Sequence, residues 1–187
     1  AAWQEAQGLE PTGILTTRQR RALLDAWRGE VAAFGFQEVN EQESGITVTL
    51  PTALVEFDHY EPPFVHYRAK TADAPRILLI SQPGGQAALY GLYDVLQTLE
   101  SVPMEGARDR GEQSFRIRGT NATTDTTVFA ELKGERIKGW MLISAPGNEA
   151  RDARILQVME QSFKADGDGV LDPGMVAMET GTKAGLL

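Results

Sequence analysis

The spacing of apolar residues changes period near residue 36. Before it the spacing is helical. Residues 3–7 read as a short helical piece stopped by Gly8 and the Pro11-Thr12-Gly13 turn. A second helix starts at Thr16, with Gln19 three residues on, the pair that makes a capping box. Leu23, Trp27, Val31 and Phe34 recur at helical spacing and predict an inward stripe, with Arg18, Arg20, Arg21 and Arg28 mostly off it.

From Phe36 the pattern changes. Ile46, Val48 and Leu50 alternate with Thr47 and Thr49, which predicts a half-buried strand ending at Pro51. Residues 52–63 hold no period and close on Pro62-Pro63, so an irregular connection is expected. Strands are predicted over 64–71 and 76–82. In the second, the unbroken Ile77-Leu78-Leu79-Ile80 run predicts burial on both faces. Pro83-Gly84-Gly85 breaks the chain before an amphipathic helix over 86–100, with Leu89, Leu92, Tyr93, Leu96 and Leu99 on one side. A polar loop over 101–113 follows, then strands over 114–120, 126–133 and 136–145. The last two are joined by Gly134-Glu135, which suits a two-residue hairpin. Asn148 is placed to cap a final helix over 149–163, with Ile155, Leu156, Met159 and Phe163 inward.

Hairpin-length links make the strands mostly antiparallel, and helices bracket them. The fold class is therefore α+β, a mostly antiparallel sheet flanked by helices and preceded by a short helical segment. Three segments are expected: a helical unit over 1–34, an α+β domain over 35–164, and a linker or tail over 165–187. The linker is expected to open at Asp166-Gly167-Asp168-Gly169.

Composition removes several classes of function. The chain has 187 residues, 18 basic against 26 acidic, net −8. A nucleic-acid binder or a polybasic membrane-surface protein needs a positive field, so neither is expected. No run approaches the roughly 18 apolar residues of a membrane-spanning helix. The absence of cysteine excludes disulfides, thiol catalysis and cysteine zinc sites. The Ala1-Ala2-Trp3 opening, with neither Met nor signal peptide, reads as a processed or excised piece of a longer chain.

Two resemblances add to this. Trp3-Gln4, Gly8-Leu9, Gly13-Ile14-Leu15, and Thr17 followed by Ala22-Leu23 resemble the second half of the peptidoglycan-binding-domain-1 family. Residues 36–163 resemble the Mog1/PsbP-like fold. The likeness lies in their order of elements and in Gly45-Ile46-Thr47-Val48-Thr49-Leu50-Pro51, Gly139-Trp140-Met141-Leu142 and the closing Ser162-Phe163. The first implies a wall-associated partner, peptidoglycan or an envelope protein. The second implies a binding or adaptor protein rather than an enzyme.

The candidate chemistry is sparse. His59 and His66 are flanked by acids and tyrosines, yet their spacing matches no common metal motif, so no metal and no cofactor is expected. Ser81 and Ser144 each end a predicted strand outside any Gly-x-Ser-x-Gly motif, and no catalytic residue is assigned. Asp166 and Asp168 begin like a calcium loop that then lacks its ligands at Val170 and Ala177. A ligand-binding face is instead expected from alternation. His66 and Arg68 share one side of their strand, Arg116 and Arg118 one side of theirs, with His59 and Tyr60 as a rim. The function expected is a non-catalytic binding or regulatory region of an exported, periplasmic or cell-envelope-associated bacterial protein. A hydrolase with an unrecognised site and an intracellular protein-binding adaptor are the alternatives.

Overall fold

The computed structural model describes residues 2–172. The chain divides into a helical unit ending at Gly35 and an α+β unit beginning at Phe36.

In the helical unit, α1 (Ala2–Ala6) is followed by α2 (Thr17–Phe34). The capping box is present. Thr16 accepts from the Gln19 N–H, Gln19 accepts from the Thr16 N–H, and Gly35 ends the helix in the left-handed region. Gln4 organises the turn between the helices. Its side chain is buried, donates to Thr12 Oγ1 and the Ile14 carbonyl, and accepts from the Gly13 N–H. The expected inward stripe is not buried. Trp27 is 59% exposed and Val31 48%, and α2 contains no buried residue.

The α+β unit opens with a two-stranded hairpin, β1 (Phe36–Glu41) and β2 (Ile46–Pro51). A seven-stranded antiparallel sheet follows, in the order β3-β4-β5-β9-β8-β7-β6. Its strands are β3 (Val55–Glu61), β4 (Phe64–Ala69), β5 (Arg76–Pro83), β6 (Arg108–Arg110), β7 (Ser114–Thr120), β8 (Asp125–Lys133) and β9 (Arg136–Ser144). Helix α3 (Gln86–Leu96) leaves β5, and α4 (Glu149–Ser162) follows β9. The expected α+β class and antiparallel pairing are present. Asn148 is at the α4 N-cap, but its side chain donates back to the Ala145 carbonyl instead of capping.

The main departure is β3, in the stretch expected to be irregular. It is an edge strand with only Val55 buried, so it carries no apolar alternation. A β-bulge between Phe57 and His59 also breaks what period it has.

Register assigns the two faces. His66, Leu78, Met141, Val128 and Ile117 form one row across the sheet, and Val65, Leu79, Trp140, Phe129 and Arg116 form the next, on the opposite face. On the first face Leu78, Ile80, Phe115, Ile117, Val128 and Met141 pack with Leu89, Leu92 and Leu96 of α3. The second face meets the hairpin and α4. Tyr60 donates to Glu41 of β1, and Phe129 meets Phe163 edge-on at 6.1 Å. Ser162 Oγ accepts from the Thr49 N–H at 2.8 Å, which ties α4 to β2. Ile46, Val48 and Leu50 are wholly buried, each contributing about 1.5–3 kcal/mol.

The stretch expected to open a linker is packed. Thr47 and Lys164 exchange both backbone hydrogen bonds, Gly167 N–H donates to Gly45 O, and Leu171 N–H to Ser81 O. A Cβ on Gly167 would lie 2.6 Å from Gly45 Cα, and one on Gly169 would lie 2.3 Å from Gln42 O. These glycines serve close backbone approach, which composition alone cannot distinguish from flexibility. The rest of the expected tail, 173–187, lies outside the described residues. Gly167→Ala should lower unfolding free energy by about 1–3 kcal/mol through overpacking, read as a lower urea midpoint. A free linker would tolerate the change.

Candidate functional site

Helix α3 covers the β8–β9 side of its face and leaves the β4 side open. A groove of about 280 Å³ lies there. Phe64, Leu78, Met141 and Ile143 line it, with Leu99 and Ser101 from the segment after α3 and Glu61, His66 and Arg76 as its polar groups. It adjoins a wider, more polar depression of about 900 Å³ that shares Arg76, Leu99, Ser101 and Ile143. Arg76 therefore stands where the two meet. Its side chain is exposed and forms no ion pair among the described residues.

At the rim, His59 lies directly across from His66 on β4. The bulge makes this pairing, because Asp58 is the extra residue and His59 is thereby turned to the face of His66. Their rings stack at 4.4 Å, 10° from parallel. Glu61, two residues on, shares that face, with its Oε2 3.8 Å from His59 Nε2 and 3.4 Å from His66 Nε2. Asp58 Oδ2 lies 3.0 Å from His59 Nδ1. Burial, and next the neighbouring His59, hold the His66 imidazole below the usual histidine value.

The structure does not bring the expected basic face together. Three strands separate β4 from β7, and the register puts His66 and Arg68 on one face of the sheet and Arg116 and Arg118 on the other. Each arginine is also engaged: Arg68 with Glu56 at 2.7 Å, Arg116 with Glu160 of α4 at 2.6 Å, and Arg118 with Asp125 at 3.9 Å. Arg116 also lies over the Phe129 ring at 5.3 Å. Tyr60 faces away from His59. Burial, then its hydrogen bond to Glu41, pushes the Tyr60 phenol up to about 12. Arg76 was missed, although its alternation with Leu78 and Ile80 places it on the α3 face.

Two serine arrangements bear on the hydrolase alternative. Lys138 Nζ lies 3.0 Å from Ser81 Oγ, and burial pushes the amine down to about 8. A serine–lysine pair can be nucleophilic when a substrate can reach it. Here both side chains are fully buried, Ser81 donates to the Ser44 carbonyl, and Lys138 donates to the carbonyls of Ser44 and Gly169. The pair joins the β1–β2 turn, the sheet and the 164–171 segment, and acts as a clamp. Ser144 donates to Asp152 of α4, also in a buried setting.

No family model and no curated protein sequence matches the chain. Solved structures do match by fold. The Ran-binding protein Mog1p of Saccharomyces cerevisiae aligns at a TM-score of 0.52 and 12% identity, over 74% of this chain and 99% of that one. A single-residue mutant of Mog1 aligns at 0.50 and 13%, over 75% and 98%. The α+β unit thus has the Mog1/PsbP-like fold.

Lys138→Met should destabilise the fold by about 2–4 kcal/mol, because it removes the three buried hydrogen bonds of Nζ and leaves Ser81 Oγ as the one hydroxyl donor shared by the Ser44 and Gly169 carbonyls. The pH dependence separates this role from simple packing. Between about pH 8 and the ordinary lysine value of 10.5, Lys138 is neutral when folded and charged when unfolded. The unfolded chain then binds the extra proton, so this group adds stability as pH rises through that window. Urea titrations at pH 7.5 and pH 9.5 should show a steeper rise for the native chain than for Lys138→Met.

Proposed function

We propose that this chain is a non-catalytic binding region whose α+β unit grips a partner protein in the groove on the α3 face. The observation that carries the reading is Arg76, an exposed guanidinium without an ion pair among the described residues, where an apolar-lined groove meets a more polar depression. Arginine recognises a carboxylate by two parallel hydrogen bonds. The partner segment that fits presents an acidic side chain among apolar ones. One protein of the same fold is named as Ran-binding, which supports partner-gripping as something this fold can host. The buried Ser81–Lys138 pair lies outside the groove and is engaged with backbone carbonyls.

The setting we propose is an exported, cell-envelope-associated bacterial protein. Its support is the peptidoglycan-binding-domain-1 resemblance of residues 3–23, together with a chain free of cysteine. Peptidoglycan is the second reading, carried by the helical unit. Only the second half of that family's pattern is matched, so binding by the isolated chain is expected to be weak. Purified sacculi should retain little of it.

The groove is tested with a photo-crosslinking residue at Leu99 or Ser101 and, as a control, at Glu112. Both groove positions should label the same protein and the control should not. Arg76→Glu should weaken binding of that protein about tenfold or more. Equal labelling at Glu112, or unchanged affinity in Arg76→Glu, overturns the groove.

A further inference from the structure

We propose that His59, Glu61 and His66 form a site for one divalent transition-metal ion, zinc before others. The inference is independent of the partner-binding reading. Two imidazoles and a carboxylate are the donor set of many zinc centres that keep an open position. Donors about 2.0–2.2 Å from a tetrahedral ion stand roughly 3.3 Å from one another. Here Glu61 Oε2 lies 3.4 Å and 3.8 Å from the two Nε2 atoms, and the three donors fall within 4.8 Å of each other. The near-parallel rings must also rotate out of their stack to aim both Nε2 lone pairs at one ion, and the exposed His59 and Glu61 side chains leave room for that.

Two further features point to a ligand. His66 Nε2 is buried and makes no hydrogen bond, although Glu61 is beside it. Buried polar nitrogens are ordinarily satisfied, so this lone pair or N–H lacks a partner that an ion would supply. Asp58, the bulge residue, faces His59 Nδ1 at 3.0 Å. A carboxylate there accepts a hydrogen bond from Nδ1–H, which fixes the tautomer whose Nε2 carries the lone pair, the outer arrangement of metal-bound histidines. The bulge thus places two ligands and one supporting carboxylate in four consecutive residues, and the hairpin brings in the third ligand. The remaining coordination position is left for water or for the oxygen of a ligand at the groove rim.

The test uses zinc alone with the untagged full chain. The chain has two histidines, so long-range proton–nitrogen spectra show two imidazoles and no others. Both Nε2 resonances should shift together and saturate at one equivalent, and calorimetry should give the same stoichiometry. His59→Ala and His66→Ala should each weaken binding by at least about tenfold, and Asp58→Asn by about tenfold as an outer-shell change. His59 is exposed on an edge strand, so its variant should keep the native melting temperature in chelator; zinc should raise that temperature in the native chain only. A shift of neither ring or of one alone, or equal affinity in the native chain and His59→Ala, overturns the site.

Discussion

An eleven-residue helix cannot cover a seven-stranded sheet. At 1.5 Å per residue, α3 is about 16 Å long, and it is narrower than that, about 10–12 Å, across its axis. Seven strands spaced about 4.8 Å apart span nearly twice its length. The helix lies where the apolar demand is greatest, over Ile117, Val128, Met141 and Leu78. What it leaves uncovered, beside β4, becomes the groove. Arg76 and His66 are tolerated on a face that is otherwise core because the cover stops short of them. The groove follows from a mismatch in size between the two layers.

The opposite face is closed by three separate pieces of chain: the β1–β2 hairpin, α4 and the 164–171 segment. None is wide enough alone. They meet at Lys138, whose three hydrogen bonds reach the hairpin turn, Ser81 of the sheet and the C-terminal segment. A buried ammonium is expensive unless all its protons are accepted, and here they are. The glycines at 45, 167 and 169 let two backbones meet closely enough for the Gly169 carbonyl to reach that ammonium. Polar satisfaction and glycine packing are one device at this corner.

The edge strand β3 shows how a small irregularity decides a surface. Without the bulge, the residue opposite His66 would be Asp58, and His59 would point to the hairpin side. With it, two imidazoles and Glu61 converge on one face while Phe57 and Tyr60 take the other, in contact at 5.1 Å. One inserted residue therefore sets both a cluster of metal-ligating groups and the aromatic seat of the hairpin.

Much of the fold was legible in the order of apolar periods. The capping box at Thr16, the doubly buried run at 77–80, the Gly134-Glu135 hairpin and the alternating strands 114–120 and 126–133 are local features, and local features survive folding. What failed was what depends on neighbours. Strand β3 was invisible because an edge strand needs no apolar alternation. The α2 stripe is not buried within its own unit, because period reveals an apolar side and not what packs on it. Alternation fixes sides within a strand, while only register relates the sides of two strands, so the expected shared face of His66 and Arg116 is two opposite faces. The sequence by itself determined the helices and six of the strands, though not β1, β3 or β6, and which residues alternate within a strand. The tertiary structure decided which strands are neighbours, where the cover ends and which charges are already paired, because those follow from long-range pairing that no local spacing encodes.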